Sequence, residues 1–208
     1  MRRAREYCAK GDRLSIWGRN GDFESAVRNA VQMEREVIRR PDLRAAAVLI
    51  PIVMRDERPH FVLTKRAMTV ASHKGQISFP GGVVEKDDRD LVHTALREAK
   101  EEIDLDETAV EVVGLLSDMV TSTGYVVSPV VGFLDPQACF AADPAEVAEI
   151  FEAPIELFLN PAHKRERVLT HKGIEYQDIC YDILGREVWG VTGRIITMFL
   201  DQLFTNPH

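Results

Sequence analysis

A rigid turn followed by an amphipathic helix constrains this 208-residue chain more than any other feature. The turn is Pro80-Gly81-Gly82, in which proline fixes one backbone angle and the glycines let the backbone approach a neighbouring group closely. Beyond it, apolar residues recur at three- and four-residue steps, the spacing that forms one face of an α-helix. They are Leu91, Ala95, Leu96, Ala99 and Ile103. The pattern predicts a helix whose charged residues occupy the other, solvent-facing side.

Three carboxylates, Glu98, Glu101 and Glu102, fall on one flank of that helix. Residues three and four apart lie one turn apart, so these oxygens converge within reach of one divalent ion or of two adjacent ions. Hard oxygen ligands favour Mg²⁺ or Mn²⁺ over zinc. Arg97 can hold Glu101 in place and lower the repulsion within the metal-free cluster. Taken alone, the run 97–102 is also typical of a solvated helix face, and its context decides between the two.

The segment that begins at Gly82 resembles the box of the Nudix hydrolases, G-x5-E-x7-R-E-U-x-E-E-x-G-U, in which U is aliphatic. The second half of the box is matched by Arg97, Glu98, Ala99, Glu101, Glu102 and Leu105. One additional residue precedes the helix, which leaves Asp88 as the nearest acidic substitute for the first Glu of the box. Asp104 stands where a Gly ends the helix in a left-handed conformation, which aspartate tolerates better than most residues.

Residues 62–82 are similar to the additional signature of the coenzyme A pyrophosphatase branch of this family. The residues that match in order and spacing are Leu63, Thr64, Arg66, Ala67, Gly75, Phe79, Pro80, Gly81 and Gly82. Ala71 stands where the signature has a second Arg, so a guanidinium that can bind phosphate through two bonds is lost. The adjacent His73 and Lys74 replace only part of it. Looser matches at 44–51, 124–132 and 188–195 extend the resemblance over most of residues 44–204.

The resemblance implies that the signature and the turn bind the substrate. The candidate substrate-binding residues are Arg66, His73, Gly75, Phe79, Gly81 and Gly82. Arg66 either contacts the substrate phosphates or forms a salt bridge to the acidic helix. His73 is either a phosphate ligand or a structural residue, and Phe79 either flanks an adenine or packs in the core, the commoner arrangement.

The resemblance also implies the roles of the carboxylates in hydrolysing a phosphoanhydride. Glu98 and Glu102 are expected to be direct metal ligands, with Glu101 as a third ligand or as a residue that holds water. The general base in this superfamily is often a Glu outside the box, and residues 144–151 supply Glu146 and Glu149. Glu146 is favoured because it falls in a predicted loop, whereas Glu149 starts a strand. Either one is otherwise an ordinary surface acid.

Composition indicates a soluble globular protein, with 45% hydrophobic and 28% charged residues. The longest apolar run, residues 45–54, is too short to cross a bilayer, and its Pro51 is interpreted as the end of a strand at a sheet edge. The net charge of −7 argues against sequence-independent nucleic-acid binding. Cys8, Cys139 and Cys180 show neither a metal-ligand spacing nor a disulfide framework. We therefore expect reduced thiols, a cytoplasmic location and no membrane association.

No linker or repeat divides the chain, and we predict an N-terminal extension at 1–43 and a Nudix hydrolase domain at 44–208. The extension is expected to hold one helix over 23–39, stopped by Pro41 and interpreted as a packing element or a homodimer contact. A terminal helix is predicted from Thr192 through Leu203. Strands are predicted at 45–53, 60–64, 110–116, 125–133, 167–170 and 174–181.

Few helices among many strands indicate a mixed sheet covered on both sides, and the resemblance implies the α+β Nudix fold, an α/β/α sandwich. Three functions are compatible with these observations. The first is metal-dependent hydrolysis of coenzyme A or acyl-CoA to 3',5'-ADP and (acyl-)4'-phosphopantetheine. The second keeps this chemistry but acts on ADP-ribose, NADH or a dinucleoside polyphosphate. The third is a nucleotide-binding module without catalysis, which the three mutually repelling carboxylates disfavour.

Overall fold

The computed structural model describes residues 20–70, 73–171 and 174–205. Within these residues the chain forms three α-helices, α1 (Asn20–Val31), α2 (Leu91–Ile103) and α3 (Gly190–Thr205). Its strands are β1 (Arg44–Arg55), β2 (Arg58–Arg66), β3 (Ile77–Ser78), β4 (Gly81–Val83), β5 (Val110–Leu115), β6 (Met119–Val120), β7 (Tyr125–Leu134), β8 (Val147–Pro154), β9 (Lys164–His171), β10 (Ile174–Ile183) and β11 (Arg186–Val188). No helix of this described part is long and apolar enough to span a membrane.

The larger sheet is built around β1, which has neighbours on both sides. It pairs parallel with β7 from Arg44 opposite Tyr125 to Val53 opposite Leu134, and antiparallel with β2 and β4. The strand order is β3-β2-β1-β7-β5, with β8 added to β2 and β6 added to β7. One parallel pair within an otherwise antiparallel arrangement makes this the predicted mixed sheet.

Side chains along the central strands alternate between two cores, one on each face of the sheet. In β1, Ala47, Leu49 and Val53 pack with the apolar face of α2. Ala46, Ile50 and Ile52 point the other way and pack with α1 and α3. A strand buried on both faces reads as a continuous apolar run, which is why residues 45–54 lack polar side chains. The structure confirms the α+β sandwich and places α2 on one face and α1 with α3 on the other.

The first helix is shorter than predicted, because it ends at Val31 instead of Arg39. The chain after it is held extended against the segment that follows β5. Asp118 N–H donates to the Glu36 carbonyl at 2.9 Å, and Glu36 N–H donates to Ser117 Oγ at 3.1 Å. The buried Asp118 carboxylate also accepts from Arg35 at 2.6 Å. These long-range contacts override a helix-compatible local sequence.

Pro51 lies inside the central strand, and our interpretation of it as the end of an edge strand is wrong. It occupies the gap where β1 changes partner on one side, since β4 pairs through Val48 and β2 pairs from Ile52 onward. Leu49 N–H on that side donates to the Pro80 carbonyl at 2.8 Å. Pro51, two residues later, lies between the two partner strands, so no backbone N–H has to be donated at this position. A proline therefore fits without breaking the sheet.

The last strands form a separate three-stranded sheet, β9-β10-β11, rather than extending the larger one. All six predicted strands are present, and the predicted terminal helix is α3.

The first helix is also part of the core, because Phe23, Ala26, Val27 and Ala30 are buried in the cluster that contains α3. The division into an extension and a catalytic domain stays a prediction, although α1 packs as a structural layer of the sandwich.

We expect Phe23→Ala to lower the free energy of unfolding by about 3 kcal/mol or more, as loss of a buried aromatic ring does. Phe23 is 1% exposed, and its ring lies edge-on to Phe133 with centroids 6.5 Å apart. Chemical denaturation followed by circular dichroism measures the change. Ser25→Ala, on the exposed side of the same helix, is the control and should change stability by about 0.5 kcal/mol or less. Equal stability of the two variants would contradict the packing of α1 in the core.

Candidate functional site

The Pro80-Gly81-Gly82 turn lies against the central strand, and both glycines are required by close approach. A Cβ atom at Gly81 would lie 2.5 Å from the Ala47 carbonyl oxygen and 2.6 Å from Val48 Cα. A Cβ atom at Gly82 would lie 2.4 Å from the carboxylate of Glu98. The first glycine therefore lets the turn pack on β1, and the second leaves room for a glutamate from α2.

Helix α2 has a defined start and end. Asp90 caps its N-terminus by accepting from His93 N–H at 2.8 Å. Asp104 ends it with φ of 53° and ψ of 30°, the left-handed conformation expected at this position. The Asp104 N–H returns to the Lys100 carbonyl at 3.0 Å. The prediction that aspartate replaces glycine at this cap is confirmed.

The three glutamates of α2 differ in exposure, and the expectation that they all face solvent is wrong. Glu102 is 2% exposed, Glu98 is largely buried and Glu101 is exposed. The reason is helical spacing, because Glu102 follows Ala95 and Ala99 at steps that continue the buried stripe. That spacing is visible in the sequence and would have identified Glu102 as the buried carboxylate.

Glu102 lies between the glycine turn and β2. One of its oxygens accepts from Arg66 Nη1 at 3.2 Å, and the other accepts from Gly81 N–H at 3.3 Å. Burial raises the pKa of Glu102 to about 7, since the two donors offset only part of the desolvation and the neighbouring Glu98 and Glu146 charges add to it. Arg66 thus forms the salt bridge to the acidic helix that was one of its two predicted roles.

Arg97 joins the loop after the glycine turn to helix α2. Its Nε and Nη2 each donate to the buried Asp88 carboxylate at 3.0 Å, and Nη2 also donates to the Val83 carbonyl at 3.1 Å. Its Nη1 donates to Glu98 at 2.9 Å and to Glu101 at 3.2 Å. This guanidinium holds the pKa of Asp88 well below its usual range. Asp88 thereby fixes the arginine that orients two of the glutamates.

A divalent cation fits the donor set of this site. Burial raises the pKa of Glu98, and the charges of Glu101 and Glu146 raise it further against the opposing effect of Arg97. Glu98, Glu102 and Glu146 therefore share one electrostatic environment in which negative charge is poorly compensated. Carboxylate oxygens without nitrogen or sulfur partners suit Mg²⁺ or Mn²⁺. Glu98, Glu101 and Glu102 stay the predicted ligands.

In the described residues, the group whose ligand atoms all lie within 4.8 Å of one another is a different one, Cys180, Asp182 and Glu187. Arg165 binds both acids of that group, so it is an ion-pair cluster. The glutamates of α2 are drawn apart instead by Arg66, Arg97 and the Gly81 N–H. To bind one cation together, their side chains have to reorient.

The two candidate bases lie on different faces of the larger sheet. Glu149 pairs with Lys65 in β2, and the next residue on that face, Phe151, packs in the core with α3. The carboxylate of Glu149 is bound by Arg186 from β11. Glu146 lies just before β8, is exposed and acts electrostatically on both Glu98 and Glu102. The geometry thus brings Glu146, and not Glu149, to the side of α2.

The signature at residues 62–82 includes the loop between β2 and β3, here called the signature loop, and the start of this loop packs beside the Glu146 segment. Ala67 N–H donates to the Glu146 carbonyl at 2.8 Å, and Thr69 Oγ1 donates to the Ala145 carbonyl at 3.2 Å. The sequence offered no indication of these two contacts. On the other side, Asp143 N–H donates to the Glu102 carbonyl at 3.0 Å. The loop, the Glu146 segment and the end of α2 are therefore linked through the backbone.

Three other predicted substrate-binding residues have structural roles of their own. Gly75 closes the loop with φ of 68° by donating to the Arg66 carbonyl at 3.1 Å. His73 is exposed, and its Nδ1 lies 2.8 Å from Gln76 Oε1. Phe79 is 3% exposed and packs edge-on against Phe61, so of its two predicted arrangements the structure shows the core position. Ala71 lies outside the described residues.

Comparison with known proteins gives one consistent family. A profile described as the NUDIX domain matches residues 43–172. The chain is 38% identical over 160 residues to a Nudix hydrolase, NudL, of Photorhabdus laumondii, which covers 77% of this chain and 85% of the relative. It is also 38% identical over 176 residues to a protein of the same name from Enterobacter sp., covering 85% and 90%. A MutT/nudix family protein from Enterococcus faecalis superposes with a TM-score of 0.50 at 15% identity, over 94% of this chain and 74% of that one.

The two glycines should respond differently to substitution by alanine. In Gly81→Ala the new methyl group meets backbone atoms, and we expect a loss of roughly 1–3 kcal/mol in the free energy of unfolding. In Gly82→Ala it meets only the movable end of Glu98, so stability should fall less while Mn²⁺ binding weakens. Denaturation in chelator and titration calorimetry with Mn²⁺ measure the two effects. Wild-type Mn²⁺ affinity in Gly82→Ala would contradict the assigned position of Glu98.

The buried Glu102 should make the metal-free protein less stable as the pH rises. Its folded-state pKa of about 7 exceeds the ordinary value of 4.5, so its contribution to stability is fully present below about pH 4.5 and is lost as the pH rises through 7. Glu102→Gln does not titrate, and relative to it the wild type should lose up to about 3 kcal/mol between pH 4.5 and 8. Urea denaturation of both proteins in chelator measures this. A pH-independent difference would show that Glu102 is not buried as a carboxylate.

Proposed function

The chain belongs to the Nudix family, and on this premise we propose that it hydrolyses the phosphoanhydride of coenzyme A or an acyl-CoA. The products are 3',5'-ADP and 4'-phosphopantetheine or its acyl derivative. The family assignment carries the reaction class, a hydrolase that acts on pyrophosphate bonds. The choice of coenzyme A rests on the signature at residues 62–82.

The burial of acidic groups beside a glycine turn is the observation that supports a divalent-cation site, which metal-dependent hydrolysis of a phosphoanhydride requires. Glu102 is 2% exposed and Glu98 is largely buried, and both carry pKa values raised by desolvation. Buried carboxylates of this kind lower the stability of the metal-free fold. A bound cation would restore that stability, which explains why the fold contains them. Nudix hydrolases generally use divalent metal ions, and Glu98, Glu101 and Glu102 are the residues that would hold one here.

The remaining roles belong to the residues around the glutamates. Glu98, Glu101 and Glu102 would hold a Mg²⁺ or Mn²⁺, which would supply neutralisation of phosphate charge and a lowered pKa of water. Arg97 keeps Glu98 and Glu101 oriented through its bonds to Asp88 and Val83. Glu146, on the same side as α2, accepts the proton of the attacking water. Arg66 is the candidate contact to the substrate phosphates, and Gly81 and Gly82 let the substrate approach the turn.

The position of the signature loop supports its proposed part in substrate recognition. Ala67 and Thr69 bond to the segment that carries Glu146, and Arg66 at the base of the loop reaches Glu102. His73 lies exposed in the same loop. A substrate whose pyrophosphate lies at the glutamates therefore has this loop beside it.

ADP-ribose, NADH and dinucleoside polyphosphates are the second candidate substrates, and one observation favours them. Ala71 replaces the second Arg of the coenzyme A signature, which removes a phosphate-binding group. Such substrates contain the same phosphoanhydride and need the same glutamates.

We also propose a cytoplasmic location, a homodimer, and a division into an extension at 1–43 and a catalytic domain at 44–208.

A substrate panel with Mg²⁺ or Mn²⁺ tests the proposal. We expect fastest hydrolysis with coenzyme A or acetyl-CoA, slower hydrolysis with ADP-ribose, NADH and diadenosine tetraphosphate, and none in chelator. Chromatography should identify 3',5'-ADP as a product. A preference for ADP-ribose or the dinucleoside polyphosphate would replace coenzyme A by the second candidate, and binding without turnover of any substrate would reject the enzyme.

Two matched variants test the general base within the same assay. Glu146→Gln should lower kcat by about 10²-fold or more, the typical contribution of a positioned base. Glu149→Gln, which alters the ion pair on the opposite face, should retain near wild-type kcat. Equal activity of the two variants would remove Glu146 from the mechanism.

A further inference from the structure

Two arginines bind the glutamates of α2, and they are held very differently. Arg97 donates to Glu98 and Glu101, but it also donates to Asp88 and to the Val83 carbonyl, which lie outside the proposed metal site and hold its guanidinium in place. Removing any one of these partners leaves the others in place. We therefore expect Arg97 to keep its position when a cation binds, because its bonds to Asp88 and Val83 do not involve the cation.

Arg66 is held by a weaker connection. Within the described residues its guanidinium donates one hydrogen bond, from Nη1 to Glu102 Oε1 at 3.2 Å. Its backbone, in contrast, is anchored at the base of the signature loop, where Arg66 N–H donates to the Gln76 carbonyl at 2.9 Å and its carbonyl accepts from Gly75 at 3.1 Å. The side chain is partly exposed, whereas Glu102 is almost fully buried. The guanidinium can thus move away while the loop stays in position.

We propose that Arg66 is a displaceable counterion, which neutralises Glu102 in the metal-free protein and is released toward the substrate phosphates when a divalent cation binds. The inference rests on the proposed metal site at Glu98 and Glu102. A cation bound to Glu102 replaces the one favourable charge that this carboxylate has in the metal-free state. The freed guanidinium, still tethered at the base of the loop, is then available to a phosphate, which it can bind through two parallel bonds.

This exchange makes Arg66 act in opposite directions on two ligands. It competes with the cation for Glu102, so its presence weakens metal binding by the free energy of the bond that must be broken. It also supplies a positive charge to the substrate, so its presence strengthens substrate binding. Metal binding before substrate binding is the favoured order, because the guanidinium is engaged until the cation arrives. An arginine that merely supports the structure would favour both ligands.

The test compares Mn²⁺ affinity and metal-free stability in wild type, Arg66→Met and Arg66→Lys. We expect Arg66→Met to bind Mn²⁺ about tenfold more tightly in titration calorimetry, the equivalent of one charged hydrogen bond. The same variant should be less stable than wild type in chelator. With saturating Mn²⁺, its KM for the substrate that the panel identifies should rise about tenfold or more, with a smaller change in kcat. Arg66→Lys, which keeps the charge but loses the planar donor pair, should give intermediate values for Mn²⁺.

Arg55→Met is the matched control. Arg55 pairs with Glu152 through two hydrogen bonds at 2.7 and 2.9 Å and is similarly exposed, but it lies at the opposite end of the β1–β2 pair. Its loss should lower stability without changing the Mn²⁺ affinity or the KM.

Weaker or unchanged Mn²⁺ binding in Arg66→Met would overturn the counterion exchange, and so would a parallel effect in Arg55→Met. The proposed metal site has a separate readout, because wild type must bind Mn²⁺ and Glu102→Gln must bind it less tightly. If wild type fails to bind, or Glu102→Gln binds equally well, the site itself is wrong and the exchange falls with it.

Discussion

The carboxylate of Glu102, buried between a glycine turn and the end of β2, is the constraint on which the rest of this site depends. A charge removed from water costs free energy unless donors or cations surround it. Here the surroundings consist of one backbone N–H from Gly81 and one guanidinium nitrogen from Arg66. The close packing around these carboxylates requires two glycines. A side chain at Gly81 would meet the backbone of β1, and a side chain at Gly82 would meet the carboxylate of Glu98.

The second compensation is the network that Asp88 and Arg97 form. Asp88 is buried and accepts from Arg97, Thr94 and His93, as well as from the Glu85 N–H. Asp88 joins the loop after the turn to the first and second turns of α2. It also holds the positively charged Arg97 beside Glu98 and Glu101. A single buried acid thus organises an acidic site by fixing an arginine, an arrangement that is more rigid than a direct pairing of glutamates with solvent-exposed bases.

Much of this architecture could be predicted from the sequence, where local chemistry and period agree. The apolar stripe of α2, its left-handed end at Asp104 and the strands of the sheet all follow from short-range patterns. Two differences from the prediction arise from tertiary contacts, since the end of α1 is set by pairing with the segment at 117–118 and Pro51 is accommodated by a change of strand partner. The burial of Glu102 is different, because it follows from a helical spacing that the sequence already contains. Glu149 faces away because of its place in the register with Lys65, which no local pattern reports.

The parallel pairing of β1 with β7 has a consequence for how the chain folds. Arg44 is the partner of Tyr125, so the central strand cannot complete its sheet until a long intervening segment, including all of α2, has been synthesised. Contacts between such distant positions slow folding, because the entropy of closing the loop is lost before the strand contacts form. During synthesis the apolar β1 therefore stays without its parallel neighbour, a state prone to aggregation. We expect the packing of α2 against the paired β1 and β7 to form only at a late stage of folding.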